Sequence, residues 1–195
     1  MTIRNSKFAS GILFNGDNVR LENNDIVDGI SLSGTATAVI DRNEIRDYGA
    51  DGMHITSDSG QVSNVTVTNN FIRSPIPEPG AHADGVQVRG VNGLTFTNNA
   101  IDMGVWKQVA GQDALNAAIF LEDANGGNSN ITLNGNYLNG GGYILRIGVG
   151  PNQQYINNRF GPDGRYGVVH NIAKPGNITV NSGNVMDLTN QPVTF

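Results

Sequence analysis

One short pattern recurs along the whole chain and leaves few folds open to it: apolar, any, apolar, two residues, usually Asn, any, apolar. It reads VRLENNDI (19–26), AVIDRNEI (38–45), VTVTNNFI (65–72), LTFTNNAI (94–101), ITLNGNYL (131–138) and QYINNRF (154–160), with weaker copies MTIRNSKF (1–8) and ITVNSGNVM (178–186). The aligned positions are Ser6, Asn24, Asn43, Asn70, Asn99, Asn136, Asn158 and Asn184, separated by 18, 19, 27, 29, 37, 22 and 26 residues. The repeat length varies while the motif persists.

The apolar positions alternate by two, the period of a strand and not of a helix. A strand can meet its own repeat in parallel only if the chain makes a full coil between copies, so the pattern predicts an all-β, single-stranded parallel β-helix of about eight coils. At about 4.8 Å per rung this is a rod nearly 40 Å long. The recurring Asn is expected at a bend, in the left-handed conformation, its amide pairing with the Asn one rung away to form an asparagine ladder. Residues 1–195 read as one domain, itself a candidate module of a longer protein.

A second strand follows each Asn strand: SGILF (10–14), DGISL (28–32), DGMHI (51–55), DGVQV (84–88), AAIFL (117–121), GGYIL (141–145) and YGVVH (166–170). Asp28, Asp51 and Asp84 open three successive copies with Asp-Gly, which is also ordinary turn chemistry. Alternation along this strand predicts one outward column of Leu13, Ser31, His54, Gln87, Phe120, Ile144 and Val169. A second column holds Asn15, Ser33, Thr56, Arg89, Glu122, Arg146 and Asn171. Polar side chains therefore gather at mid-rod. The long insertions RSPIPEPGAHAD (73–84) and DMGVWKQVAGQDALN (102–116) precede the same strand and are expected to wall a cleft over it.

Composition narrows the chemistry. A net charge of −5 with 12 scattered Lys and Arg gives no basic face for nucleic acid. Cys is absent, so neither disulfides nor thiolate metal sites arise. No run approaches the roughly 18 apolar residues of a membrane span. The opening MTIRNSKFASGILF lacks the apolar core of a secretory signal. With no amphipathic cap before residue 3, the first rung is exposed, or covered by a partner subunit or a further domain.

Candidate catalytic residues are His54, Tyr48, Asp51 and Asp84. Histidine is the side chain that titrates nearest neutrality, and two Asp one rung apart either repel, so that one keeps its proton, or bind Ca²⁺ through oxygen. No calcium-loop repeat of the GGxGxDx type accompanies them, and no dedicated metal site is expected. Candidate substrate contacts are His82, Gln87, Arg89, Trp106, Lys107, Asp113, Glu122 and Arg146. Each has a plainer alternative: Arg89, Glu122 and Arg146 as a solvated charge ladder, Trp106 as packing for a loop base.

The repeat with its Asn ladder and the DGxxV strand resemble the pectate-lyase-like superfamily of right-handed parallel β-helices, across essentially the whole chain. YGADGMHIT (48–56) also resembles the Tyr-Gly-x-Asp-x-His motif of mannuronan C5-epimerases, with one extra residue between Asp51 and His54. The resemblance implies an acidic polysaccharide as partner, in an extracellular or cell-surface setting, and proton abstraction at C5 of a uronate by a lyase or epimerase. His54 or Tyr48 would then supply the base or acid, Arg89 or Arg146 would neutralise the carboxylate, and Gln87 would position the sugar. Two alternatives stand beside it: a non-catalytic carbohydrate-binding or structural module, and a glycoside hydrolase using a carboxylate pair among Asp51, Asp84, Asp113 and Glu122.

Overall fold

The computed structural model describes residues 1–195 and contains strands but no helix. Three long parallel sheets run the length of the rod. Sheets I and II have eight strands each and sheet III has seven, and in all three the neighbours in space are successive coils. One coil of the rod is Val62–Thr68 in sheet I, Phe71–Arg73 in sheet II and Ala83–Arg89 in sheet III.

The Asn motif is therefore two strands and not one. In VTVTNNFI the chain turns at Asn69, whose φ is 57°, before Asn70 leads into Phe71–Arg73. The left-handed residue is the one before each ladder Asn: Asn5, Asn23, Arg42, Asn69, Asn98, Gly135, Asn157 and Gly183 all have φ between 53° and 68°. This corrects the expectation that the ladder Asn itself adopts that conformation. The reason is geometric, since a left-handed residue turns the strand and swings the next side chain inward, where no water competes for its amide.

The ladder itself is continuous. Each Asn Oδ1 accepts both the backbone N–H and the Nδ2–H of the Asn before it, at 2.8–3.2 Å, from Asn24 through Asn184. Ser6 joins through its N–H to Asn24 Oδ1 at 3.0 Å. All seven Asn are at most 3% exposed, so each amide satisfies corner groups that would otherwise be buried and unpaired.

Inside, like side chains stack rung on rung. Leu21, Ile40, Val67, Phe96, Leu133 and Tyr155 form one column in sheet I, and Ile26, Ile45, Ile72, Ile101, Leu138 and Phe160 form another in sheet II. At the C-terminal end the chain folds back, with Val185 bridging Pro192, and Phe195 meets Tyr155 and Phe160 edge-on at 4.9 and 6.2 Å. At the other end Ile3, Phe8 and Ile12 are half-buried and Leu13 is exposed.

Sheet III carries the outward columns, and its register corrects two assignments. The first column is Leu13, Ser31, His54, Gln87, Phe120, Arg146 and His170. Arg146 thus lies beside Phe120 and not beside Glu122, while Ile144 is buried and Val169 pairs with the inward Leu145. The second column runs Ser33, Thr56, Arg89 and Glu122. The displacement starts at Gly140-Gly141-Gly142, where positive φ at Gly140 and Gly141 delays the strand to Tyr143–Ile147.

Candidate functional site

The Asp-Gly steps sit at the corner entering sheet III. A Cβ on Gly52 would lie 2.7 Å from the Gly85 carbonyl oxygen, and one on Gly85 would lie 2.5 Å from that of Ala118, so the corner admits only glycine at both positions. The Asp before each glycine ties its rung to the next. Asp51 Oδ1 accepts the N–H of Asp84 at 3.0 Å, and Asp84 accepts the N–H of Ala117. Both Asp84 oxygens also accept Nδ2 of Asn116, at 3.0 and 3.2 Å, and Asn116 Oδ1 in turn accepts Nη1 of Arg146.

Asp84 is fully enclosed, and burial, reinforced by the Asp51 charge, holds its carboxyl well above the ordinary carboxylate range. Burial also raises Asp51, so the pair retains a proton to higher pH than a solvated Asp would. With its oxygens committed to Asn116 and Ala117, Asp84 does not reach a ligand over sheet III, which corrects its expected place among the catalytic residues. Nor is there a group of three or more His, Asp or Glu placed to hold a metal ion.

Tyr48 is likewise corrected. Its ring is buried in the core, with Cε1 3.1 Å from where a Gly52 Cβ would stand, and burial drives its hydroxyl pKa far upward. The short corner between Asp47 and Gly52 folds the ring beneath the sheet and away from the outward face. His54 does face outward, half-buried, in a depression of about 280 Å³ that Asp28, Ser31 and Asp51 also line.

Further along sheet III the cations differ in kind. Arg89 is neutralised twice, its Nε 2.9 Å from Glu122 Oε2 and its Nη1 3.0 Å from Asp58 Oδ2. Asp58 is held below the usual carboxylate value by hydrogen bonds from Asn125 and Thr56 and by the Arg89 charge. Arg146 makes no ion pair; its guanidinium rests 4.4 Å above the Phe120 ring and is oriented by Asn116.

Beside Arg146 is a depression of about 330 Å³ lined by His82, Asp113, Asn116, Tyr143, Tyr166 and His170. Tyr143 stacks on His170 at 5.0 Å and tilts against Tyr166 at 5.9 Å. The Tyr166 hydroxyl donates to Asp113 Oδ2. The insertion before Leu115–Glu122 carries a small hairpin, Gln108–Val109 with Gln112–Asp113, that forms one wall. Trp106 in that insertion packs against the core beneath Arg165, whose guanidinium lies 3.4 Å over the indole. This is the loop-base role and not a free stacking surface. Lys107 is exposed beside it and makes no ion pair.

The structure thus gathers Arg146, His82 and Asp113 in one place, and leaves His54 with Gln87 and Arg89 nearer mid-rod. His54 and Arg146 are three rungs apart, about 14 Å. Tyr143, Tyr166, His170, Asn116 and Asp58 belong to the surface but escaped sequence reasoning; starting the last copy at Gly167, which pairs with Tyr143, would have brought His170 into the outward column.

The model of the right-handed β-helix region matches residues 2–187. Among solved structures, the chain is similar to the catalytic domain of a GH87 α-1,3-glucanase variant in complex with tetrasaccharides, with 12% identity and a TM-score of 0.30 over 86% of this chain. The chain spans 50% of that domain's length. No curated protein is significantly similar in sequence. With three parallel sheets, a continuous Asn ladder and a family match over nearly its whole length, the chain belongs to the right-handed β-helix family.

Proposed function

We propose that the chain acts on an acidic polysaccharide laid along sheet III, by abstraction of the C5 proton of a uronate. The observation that carries this reading is Arg146, a guanidinium with no carboxylate partner, fixed by Asn116 at the edge of a depression that also holds two histidines. A uronate carboxylate supplies the missing counter-charge, and its neutralisation there makes the C5–H more acidic. His170, the next residue in Arg146's column, is one rung away and takes the proton. The hydroxyl of Tyr143, whose ring stacks on His170, lines the same wall and supplies the proton for the leaving oxygen.

This places the chemistry at Arg146 and His170 instead of His54 and Arg89. An acidic polymer is disfavoured at Arg89, where Asp58 and Glu122 already balance the charge. Such polymers place the protein outside the cell or at its surface. A second reading, binding without catalysis, draws support from the stacked face of His170 on Tyr143, which leaves the imidazole less free to approach a sugar.

The test is incubation of the purified chain with polyuronates in deuterated buffer. Absorbance follows unsaturated uronate, and NMR follows deuterium at C5. Elimination or exchange is expected, lost in Arg146→Ala and His170→Ala variants that retain the β-helix circular dichroism. Neither reaction nor binding with any polyuronate would overturn the proposal.

A further inference from the structure

The depression beside Arg146 has two chemically unlike ends. Arg146 and Tyr143 stand three residues apart on one strand, about 10 Å. The Arg146 end offers an unpaired cation. The other end offers an aromatic tier, in which Tyr166 is 53% exposed yet fixed from several sides. Its hydroxyl is held by Asp113, its ring tilts against Tyr143, and Arg165 lies 5.1 Å from its centroid. It also lies on Gly142, where a Cβ would come within 3.2 Å of the Tyr166 ring. A large ring kept exposed and immobile is a prepared stacking surface, because the entropy of ordering it has already been spent in folding.

Asp113 decides what stacks there. Its carboxylate is 44% exposed at the tier and only loosely balanced by Arg165, 3.8 Å away. It repels a second carboxylate and accepts hydrogen bonds from sugar hydroxyls. The tier therefore takes a neutral pyranose and turns away a uronate, while Arg146 does the reverse. We infer that the preferred ligand is an acidic heteropolysaccharide in which a neutral sugar adjoins the uronate held by Arg146. This rests on the reading of Arg146 as the carboxylate site.

Titration calorimetry on the full chain separates the two ideas. The probes are hyaluronate, which alternates glucuronate with neutral N-acetylglucosamine, and two homopolymers, polygalacturonate and polymannuronate. Hyaluronate is expected to bind about 10-fold more tightly per repeat, and Tyr166→Ala to remove about 5- to 10-fold of that advantage without weakening the homopolymers. Tyr166→Phe, which keeps the ring, retains the preference and guards against a fold defect in the alanine variant. Asp113→Asn is expected to improve homopolymer binding. Equal binding of all three polymers, lost in Arg146→Ala but unmoved by Tyr166→Ala and Asp113→Asn, would overturn the inference and leave the carboxylate site standing. No binding of any of the three would overturn both.

Discussion

Replacing Asn99 by alanine should come close to unfolding this protein, although it removes only three side-chain atoms beyond Cβ. Asn99 sits mid-ladder, 2% exposed. Its Oδ1 accepts Asn70 N at 2.8 Å and Asn70 Nδ2 at 2.9 Å. Its Nδ2 donates to Val67 O, Thr97 O and Asn136 Oδ1 at 3.0–3.2 Å. Each such bond contributes about 1 kcal/mol net, and a donor left buried and unpaired costs about 1–3 kcal/mol. The loss sums to about 4–6 kcal/mol, a large part of the 5–15 kcal/mol that keeps a typical domain folded. At about 2–4 °C per kcal/mol for a chain of this size, Tm falls by about 10–20 °C. Urea unfolding followed by circular dichroism is the assay, with the midpoint moving and the slope unchanged. The neighbouring Asn98 is the control: its side chain donates no ladder bond and its φ of 55° suits glycine, so Asn98→Gly should shift stability by less than about 1 kcal/mol. A cost for Asn99→Ala no larger than that of the control would refute the reasoning.

Other consequences follow from the same geometry. Because burial raises the Asp84 carboxyl pKa, its contribution to stability is complete below the ordinary value of 3.8 and is lost as pH rises through the higher folded value. Asp84→Asn, which does not titrate, should therefore gain on the parent as pH increases from 4 upward, and parallel urea-midpoint profiles would contradict this. Gly85→Ala drives a methyl to 2.5 Å from both the Ala118 carbonyl oxygen and Ile101 Cγ2, and should cost about 2–4 kcal/mol by thermal melting. Phe195→Ala removes the edge contacts with Tyr155 and Phe160 and should cost about 1–3 kcal/mol, with hydrogen exchange accelerating first in the last coils.

The fold was legible because coiling forces a periodic signal: alternation of two, an Asn at a constant place, and glycines where rungs nearly touch. What the pattern hides is the backbone. The break between sheets I and II depends on the residue before each ladder Asn being left-handed, a state that Asn, Arg42 and glycine all occupy. The site was legible only until the register slipped. Gly140-Gly141-Gly142 absorbs two residues that a repeat alignment counts as strand, which hid Arg146 from the column of Phe120, and a separate one-residue slip in the last copy, where Gly167 and not Tyr166 pairs with Tyr143, hid His170. Tyr48 shows the complementary difficulty, since a motif match fixes residue types but not whether a corner turns a ring inward. The neutralisation of Arg89 by Asp58, and its contrast with Arg146, depends on side chains 31 residues apart and leaves no local trace.

The most direct test is a crystal structure of the protein soaked with an oligo-uronate. The account predicts the sugar chain along sheet III, with one carboxylate on the Arg146 guanidinium and C5 of that residue facing His170. Sugar bound over sheets I or II, or over sheet III with Arg146 untouched, would contradict it.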